Sequence, residues 1–148
     1  MEGVKLKKAT IIYWSGTGNT EMMANAIAEG VKNIGNPVNV VSVENGNKDM
    51  VVNSELIGFG CPSMGAEVLE EELMEPFIES LKDVDFSGKS VALFGSYDWG
   101  NGEWMHDWEE KMKGYGATLV DEGLIIHLTP DDDGIDKCKE LGEKLATA

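Results

Sequence analysis

The sequence predicts an α/β protein, a three-layer α/β/α sandwich whose central sheet is parallel and has five strands. Two observations carry this reading. Five short apolar runs alternate with amphipathic segments along 148 residues, a length that suits one domain, 1–148, with a proper hydrophobic core. A loop rich in glycine and hydroxyl side chains also joins the first apolar run directly to the first helical pattern.

Lys8–Trp14 reads as the first buried strand. Across Glu21–Ile34, Met23, Ala26, Ile27, Val31 and Ile34 recur on one helical face. Gly35, Asn36 and Pro37 stop that helix, and Val38–Val43 forms the second strand. A polar stretch with a weak helical pattern leads to the third, Leu56–Gly60. Leu69–Leu81 predicts a helix in which Pro76 marks a break or a second start. Ser90–Gly95, bounded by the Ser87-Gly88 turn, is the fourth strand. Glu103–Tyr115 is helical, with Trp104, Trp108 and Met112 four residues apart, a core stripe. Thr118–Leu128 supplies the fifth strand. Thr129 as cap and Pro130 at the first position then open the last helix, and Asp131–Asp133 form its acidic start rather than a metal cluster.

Charge and composition narrow the partners. The net charge is −15, from 27 acidic and 12 basic residues, which excludes a nucleic-acid-binding surface and favours a basic protein partner. No window approaches a membrane-spanning run, and the short polar N-terminus has no secretory character. Cys61 and Cys138 lie far apart without metal-type spacing, as in a reducing cytoplasm. A cytoplasmic monomer is the expectation. His106 and His127 have no partner pattern for metal binding or base catalysis, so neither a metal site nor a catalytic residue is expected.

The loop SGTGNT, Ser15–Thr20, carries the chemistry. Gly16 and Gly18 let the backbone turn tightly and present its N–H groups. Ser15, Thr17, Asn19 and Thr20 add donors without charge, and the following helix adds its partial positive end. No lysine follows the glycines, which argues against a P-loop nucleotidase, and the dinucleotide spacing GxGxxG is broken at Met22 and Met23. A phosphate monoester held by dipoles fits best.

In parallel sheets, ligands sit beyond the carboxyl ends of the strands. Two further loops lie there: Cys61–Glu67, with Met64 beside Gly65, and Ser96–Gly102, with Trp99 among glycines. The three loops should converge on one crevice. A phosphate cradle, a soft methionine and a flat indole together describe a planar heteroaromatic phosphate monoester, and flavin mononucleotide (FMN) fits.

The segments YWSGTGNTE, MGAEVLEEE and ALFGSYDWGNGEWM resemble the short-chain flavodoxins, especially the clostridial type, and the similarity covers essentially the whole chain. The resemblance implies a strand order 2-1-3-4-5, noncovalent FMN, and low-potential one-electron transfer between redox proteins such as reductases and ferredoxin-linked enzymes. It implies that Ser15, Gly16, Thr17, Gly18, Asn19 and Thr20 form the phosphate loop, and that Met64 and Trp99 cover the two ring faces. By the same resemblance the Gly65 carbonyl turns toward flavin N5, and Glu67 meets the pyrimidine edge. Ser96, Tyr97, Asp98 and Gly100 belong to the third FMN-binding loop; Tyr97 either touches the ring or supports that loop.

Three positions depart from the family pattern. Pro62 stands where close relatives often have serine, leaving Ser63 as the hydroxyl of that loop. Asp98 replaces a common glycine. Ala66 follows Gly65 where relatives favour glycine, asparagine or aspartate. A type II turn there requires positive φ at Ala66, which costs alanine roughly 1 kcal/mol, equivalent to roughly 40 mV. The expectation is a lowered first one-electron potential, which Ala66→Gly should raise. Two other functions suit the sequence less well. A small FMN-dependent reductase, quinone reductase-like, would need an open ring face. A phosphoacceptor receiver would need acids where the strand ends instead hold Tyr13-Trp14-Ser15 and Gly60-Cys61-Pro62.

Overall fold

Strand β1 (Ala9–Tyr13) lies inside a parallel sheet, paired with β2 (Val38–Ser42) on one side and β3 (Leu56–Gly60) on the other. β4 (Ser90–Tyr97) pairs with β3, and its other edge carries β5 (Thr118–Leu119) and β6 (Leu124–His127). The order is therefore 2-1-3-4-5, with β5 and β6 sharing the fifth place. The computed structural model describes residues 6–65 and 67–148. The expectation for Ala66 lies outside the described residues.

Alternation along the strands builds two cores. On one face Ile12, Phe59 and Leu93 pack with Trp104, Trp108 and Met112 of α4 (Glu103–Gly114). On the other, Ile11, Ala92 and Phe94 pack with Met23 and Ile27 of α1 (Asn19–Ile34) and with Leu141 and Leu145 of α5 (Asp132–Ala146). Two short α-helices, α2 (Lys48–Val52) and α3 (Met74–Glu79), and a 3-10 turn at Val43–Asn45 are the remaining helical elements among the described residues. Helices α1 and α5 touch backbone to backbone. A Cβ on Gly30 would overlap the Lys139 carbonyl, and one on Gly142 would overlap the Ile27 carbonyl. The Trp104 indole donates to Cys61 O at 3.1 Å, whereas the buried Trp108 Nε1 finds no partner among the described residues.

Four expectations are corrected. The helix placed at Leu69–Leu81 shrinks to α3. Glu70, buried, accepts the N–H groups of Glu72, Leu73 and Met74 at 2.8–2.9 Å, so residues 71–73 form turns and Pro76 sits in the first helical turn. The fifth strand is broken: residues 120–123 stand opposite only 92–93, and the Gly123 N–H leaves the sheet for Glu109 Oε2 at 2.6 Å. The last helix is capped by Asp131, whose Oδ1 accepts the Gly134 N–H at 2.8 Å, not by Thr129. Ile34, expected on the buried face of α1, is 43% exposed, because it ends the helix where Gly35 (φ 104) reverses the chain.

Candidate functional site

A crevice of about 260 Å³ opens at the carboxyl ends of β1, β3, β4 and β6. It is lined by Trp14, Gly16, Thr17 and Asn19 from the first loop, and by Pro62, Ser63 and Met64 from the second. Ser96, Tyr97 and Asp98 come from the end of β4, and Leu128 from beyond β6. Among the described residues, Asp98 is the only one on the lining that bears a full charge. A larger groove, about 570 Å³, runs between α4 and residues 121–123, away from these strand ends.

The first loop owes its shape to its own side chains. Ser15 Oγ accepts the N–H groups of Gly18 (3.1 Å) and Glu21 (3.3 Å), curling the chain about the hydroxyl. Gly18, at φ 97, caps α1 in the left-handed region where a Cβ is disfavoured. Gly16 passes close to the Trp14 ring, which a Cβ would meet at 3.0 Å. Among the described residues, the N–H groups of Gly16, Thr17 and Thr20 reach no protein acceptor. They stand at the positive end of a 16-residue helix. Asn19 Oδ1 accepts the Thr129 hydroxyl at 3.0 Å, which leaves the amide NH₂ as the free side of this crevice-lining side chain.

Thr20 behaves differently from the other hydroxyls. It is buried, and its Oγ1 accepts the Ser96 N–H at 3.3 Å and lies 3.0 Å from Ser96 Oγ. Whichever hydroxyl donates to the other, one proton of the pair remains to be given. Ser96 lines the crevice and Thr20 does not, so the arrangement in which Thr20 donates to Ser96 Oγ is the one that leaves the Ser96 proton to be given there.

The second loop is a small hairpin. Met64 and Val68 exchange backbone hydrogen bonds of 2.9 and 3.0 Å, and Gly65 (φ 45) and Glu67 (φ 58) both occupy left-handed backbone. Glu67 Oε1 accepts the Gly102 N–H at 3.1 Å, joining this loop to the third. Cys61 anchors the loop's start: its buried Sγ accepts the Glu70 N–H at 3.3 Å, and burial pushes its thiol up to about 12. It is a packing residue, as is buried Cys138, whose thiol burial also raises to about 12. In the third loop, Trp99 is 60% exposed and Tyr97 packs between Trp104 (6.1 Å between centroids) and His127 (5.2 Å).

The three loops therefore meet, as expected, but Ser15, Gly18, Thr20, Gly65, Glu67, Trp99 and Gly100 lie around the crevice rather than on its wall. Trp14 and Leu128 were missed. Leu128 follows the last strand, so the same strand-end rule reaches it; the uninterrupted run Leu124–Leu128 disguised it as more strand.

A doubly wound parallel sheet with a neutral anion cradle at its switch point defines a nucleotide-phosphate-binding α/β protein. The profile of the Flavodoxin family matches residues 11–142, and the chain belongs to that family. It is 51% identical over 136 residues to the flavodoxin of Clostridium beijerinckii, covering 92% of this chain and 97% of that one. It is 46% identical over 138 residues to that of Megasphaera elsdenii, covering 93% and 98%. The solution structure of two-electron reduced Megasphaera elsdenii flavodoxin superposes with a TM-score of 0.84 at 45% identity, over 95% of this chain and 99% of that one. Flavodoxins are FMN-binding electron carriers and not enzymes, and this chain is one of them. Among the described residues, no helix is long and apolar enough to cross a membrane.

Proposed function

We propose that the crevice is the FMN site and that the chain, acting as one domain, carries single electrons at low potential between cytoplasmic redox proteins. The observation that carries this reading is the set of unengaged N–H groups on Gly16, Thr17 and Thr20 at the start of α1, in a loop without a cation. A dianionic phosphate matches that set in number and sign, and the residues present fit the group.

In this reading Ser15–Thr20, with Ser63 and Ser96, hold the phosphate. Met64 and the exposed Trp99 cover the ring, the Gly65 carbonyl serves flavin N5 with Ala66 next to it in sequence, and Glu67 meets the pyrimidine edge. Tyr97, Asp98 and Gly100 complete the third loop. Bound FMN supplies two successive one-electron steps. The protein's part is to keep water from the ring faces, to leave an edge reachable, and to set the potentials through nearby dipoles and charges. The acidic surface suits monomeric encounter with basic docking faces of reductases and ferredoxin-linked enzymes.

The test is an anaerobic spectroelectrochemical titration of the FMN-loaded protein. Two well-separated one-electron steps, the second at very low potential, are expected. A single two-electron step would make the protein reductase-like, and no FMN uptake would overturn the reading.

A further inference from the structure

Leu128 stands where neither backbone preference nor packing explains a leucine. Its φ is 59, in the left-handed region that penalises any residue with a Cβ and that glycine or asparagine enters far more readily. Its side chain is 46% exposed and belongs to neither hydrophobic core. It does line the crevice, together with Asn19, Tyr97 and Asp98.

The conformation is imposed from both sides. The Leu128 N–H donates to Tyr97 O at 2.8 Å, and His127 Nε2 donates to Asp98 O at 2.9 Å. The Thr129 hydroxyl donates to Asn19 Oδ1 at 3.0 Å, Pro130 is buried, and Asp131 caps α5. Residues 127–131 thus form a brace between the third loop and the phosphate loop. At its centre is a strained residue whose only asset is apolar surface. Strain of this kind persists where surrounding bonds over-determine it, and it collects at ligand clamps.

We infer that Leu128 is a binding residue of a fourth loop: the brace holds its side chain at the crevice, where it packs against the apolar surface of the bound flavin nucleotide. The inference rests on the crevice being the FMN site. Covering a half-exposed leucine adds affinity without a hydrogen bond.

The test measures FMN dissociation constants by flavin fluorescence on apoprotein, alongside apoprotein melting. Leu128→Gly and Leu128→Asn should each weaken FMN binding about tenfold while the apoprotein melts no lower than wild type, since both relieve the backbone. Leu128→Met, strained but apolar, should stay within about threefold of wild type. If Leu128→Gly fails to fold by circular dichroism, the Asn variant decides. Wild-type affinity in the folded Gly and Asn variants overturns the inference and leaves the FMN site standing. Unchanged affinity with slower electron delivery to a basic protein such as cytochrome c would overturn it too, and would assign Leu128 to docking. Failure of the wild-type apoprotein to take up FMN removes both readings.

Discussion

Glu67 Oε1 accepts the Gly102 N–H at 3.1 Å, so a carboxylate of the second loop sits on the N-terminal end of α4. Its fit explains a neighbouring glycine: a Cβ on Gly100, itself at φ 94, would overlap that carboxylate. The bond clasps the Met64–Val68 hairpin to the third loop. A carboxylate beside a helix N-terminus contributes about 0.3–1 kcal/mol, and a charged hydrogen bond about 1.5–3. Glu67→Gln, which keeps an acceptor but loses the charge, should lower apoprotein stability in urea by about 1 kcal/mol, and Glu67→Ala by about 2. Equal midpoints for all three proteins would mean that the clasp contributes nothing.

The Thr20–Ser96 pair joins residues 76 positions apart at the back of the crevice. Thr20→Val keeps the shape and strands the Ser96 N–H in a buried place, at a cost of about 1–3 kcal/mol. Ser96→Ala removes the donor that faces the crevice. A double-mutant cycle on apoprotein stability should give a coupling of about 1 kcal/mol, and both single variants should weaken FMN binding. Additive effects would separate the two hydroxyls and remove the argument that they act as one donor.

Strand positions and the first loop were legible because period-two burial and glycine punctuation are local signals. Leu56–Gly60 was placed to the residue. The failures came from long-range partners. Glu70 shortened α3 by taking three N–H groups, and Glu109 broke the fifth strand by taking Gly123. At the crevice, the glycine-and-hydroxyl pattern sufficed to place Ser15 and Asn19 where β1 gives way to α1. That Asn19 turns its oxygen to Thr129 depends on a residue 110 positions away, which no local pattern records.

The helix–helix contact was equally hidden, since a glycine within a helical pattern gives no local sign of a close neighbour. In the fold Gly30 and Gly142 are the points of closest approach, each facing a carbonyl of the other helix. A methyl group there must push α1 from α5. Gly30→Ala and Gly142→Ala should each cost about 1–3 kcal/mol, outweighing alanine's helix preference of about 1. A rise in melting temperature for either variant would contradict the contact.

The buried thiols give a pH dependence with a definite sign. Cys61 and Cys138 are both raised to about 12 by burial, so the folded state holds their protons where the unfolded chain has released them. Stability from this source is full below the unfolded value, about 8.5, and is lost as pH climbs toward 12. Urea midpoints should fall between about pH 9 and 11, and the Cys61→Ala/Cys138→Ala variant should show a shallower fall even if it is less stable at neutral pH. Parallel slopes would place the alkaline loss elsewhere, for instance at Tyr13, which burial and Glu21 also raise.

Asp98 puts a carboxylate at a crevice already set in a chain of net charge −15. Reduction adds negative charge to the bound cofactor, and each carboxylate about 10 Å away in a water-like medium opposes it by about 0.4 kcal/mol, or roughly 17 mV. Asp98→Asn should therefore raise the second one-electron potential by roughly 20 mV at low salt. The wild-type potential should itself rise with ionic strength as the Debye length shrinks from about 30 Å at 0.01 M to about 10 Å at 0.1 M, and the gap between the two proteins should narrow. Voltammetry at both salt concentrations separates the contributions. A gap that persists in salt assigns Asp98 a short-range effect on the ring, whereas potentials indifferent to both salt and Asp98 would take the acidic surface out of the control of the second electron.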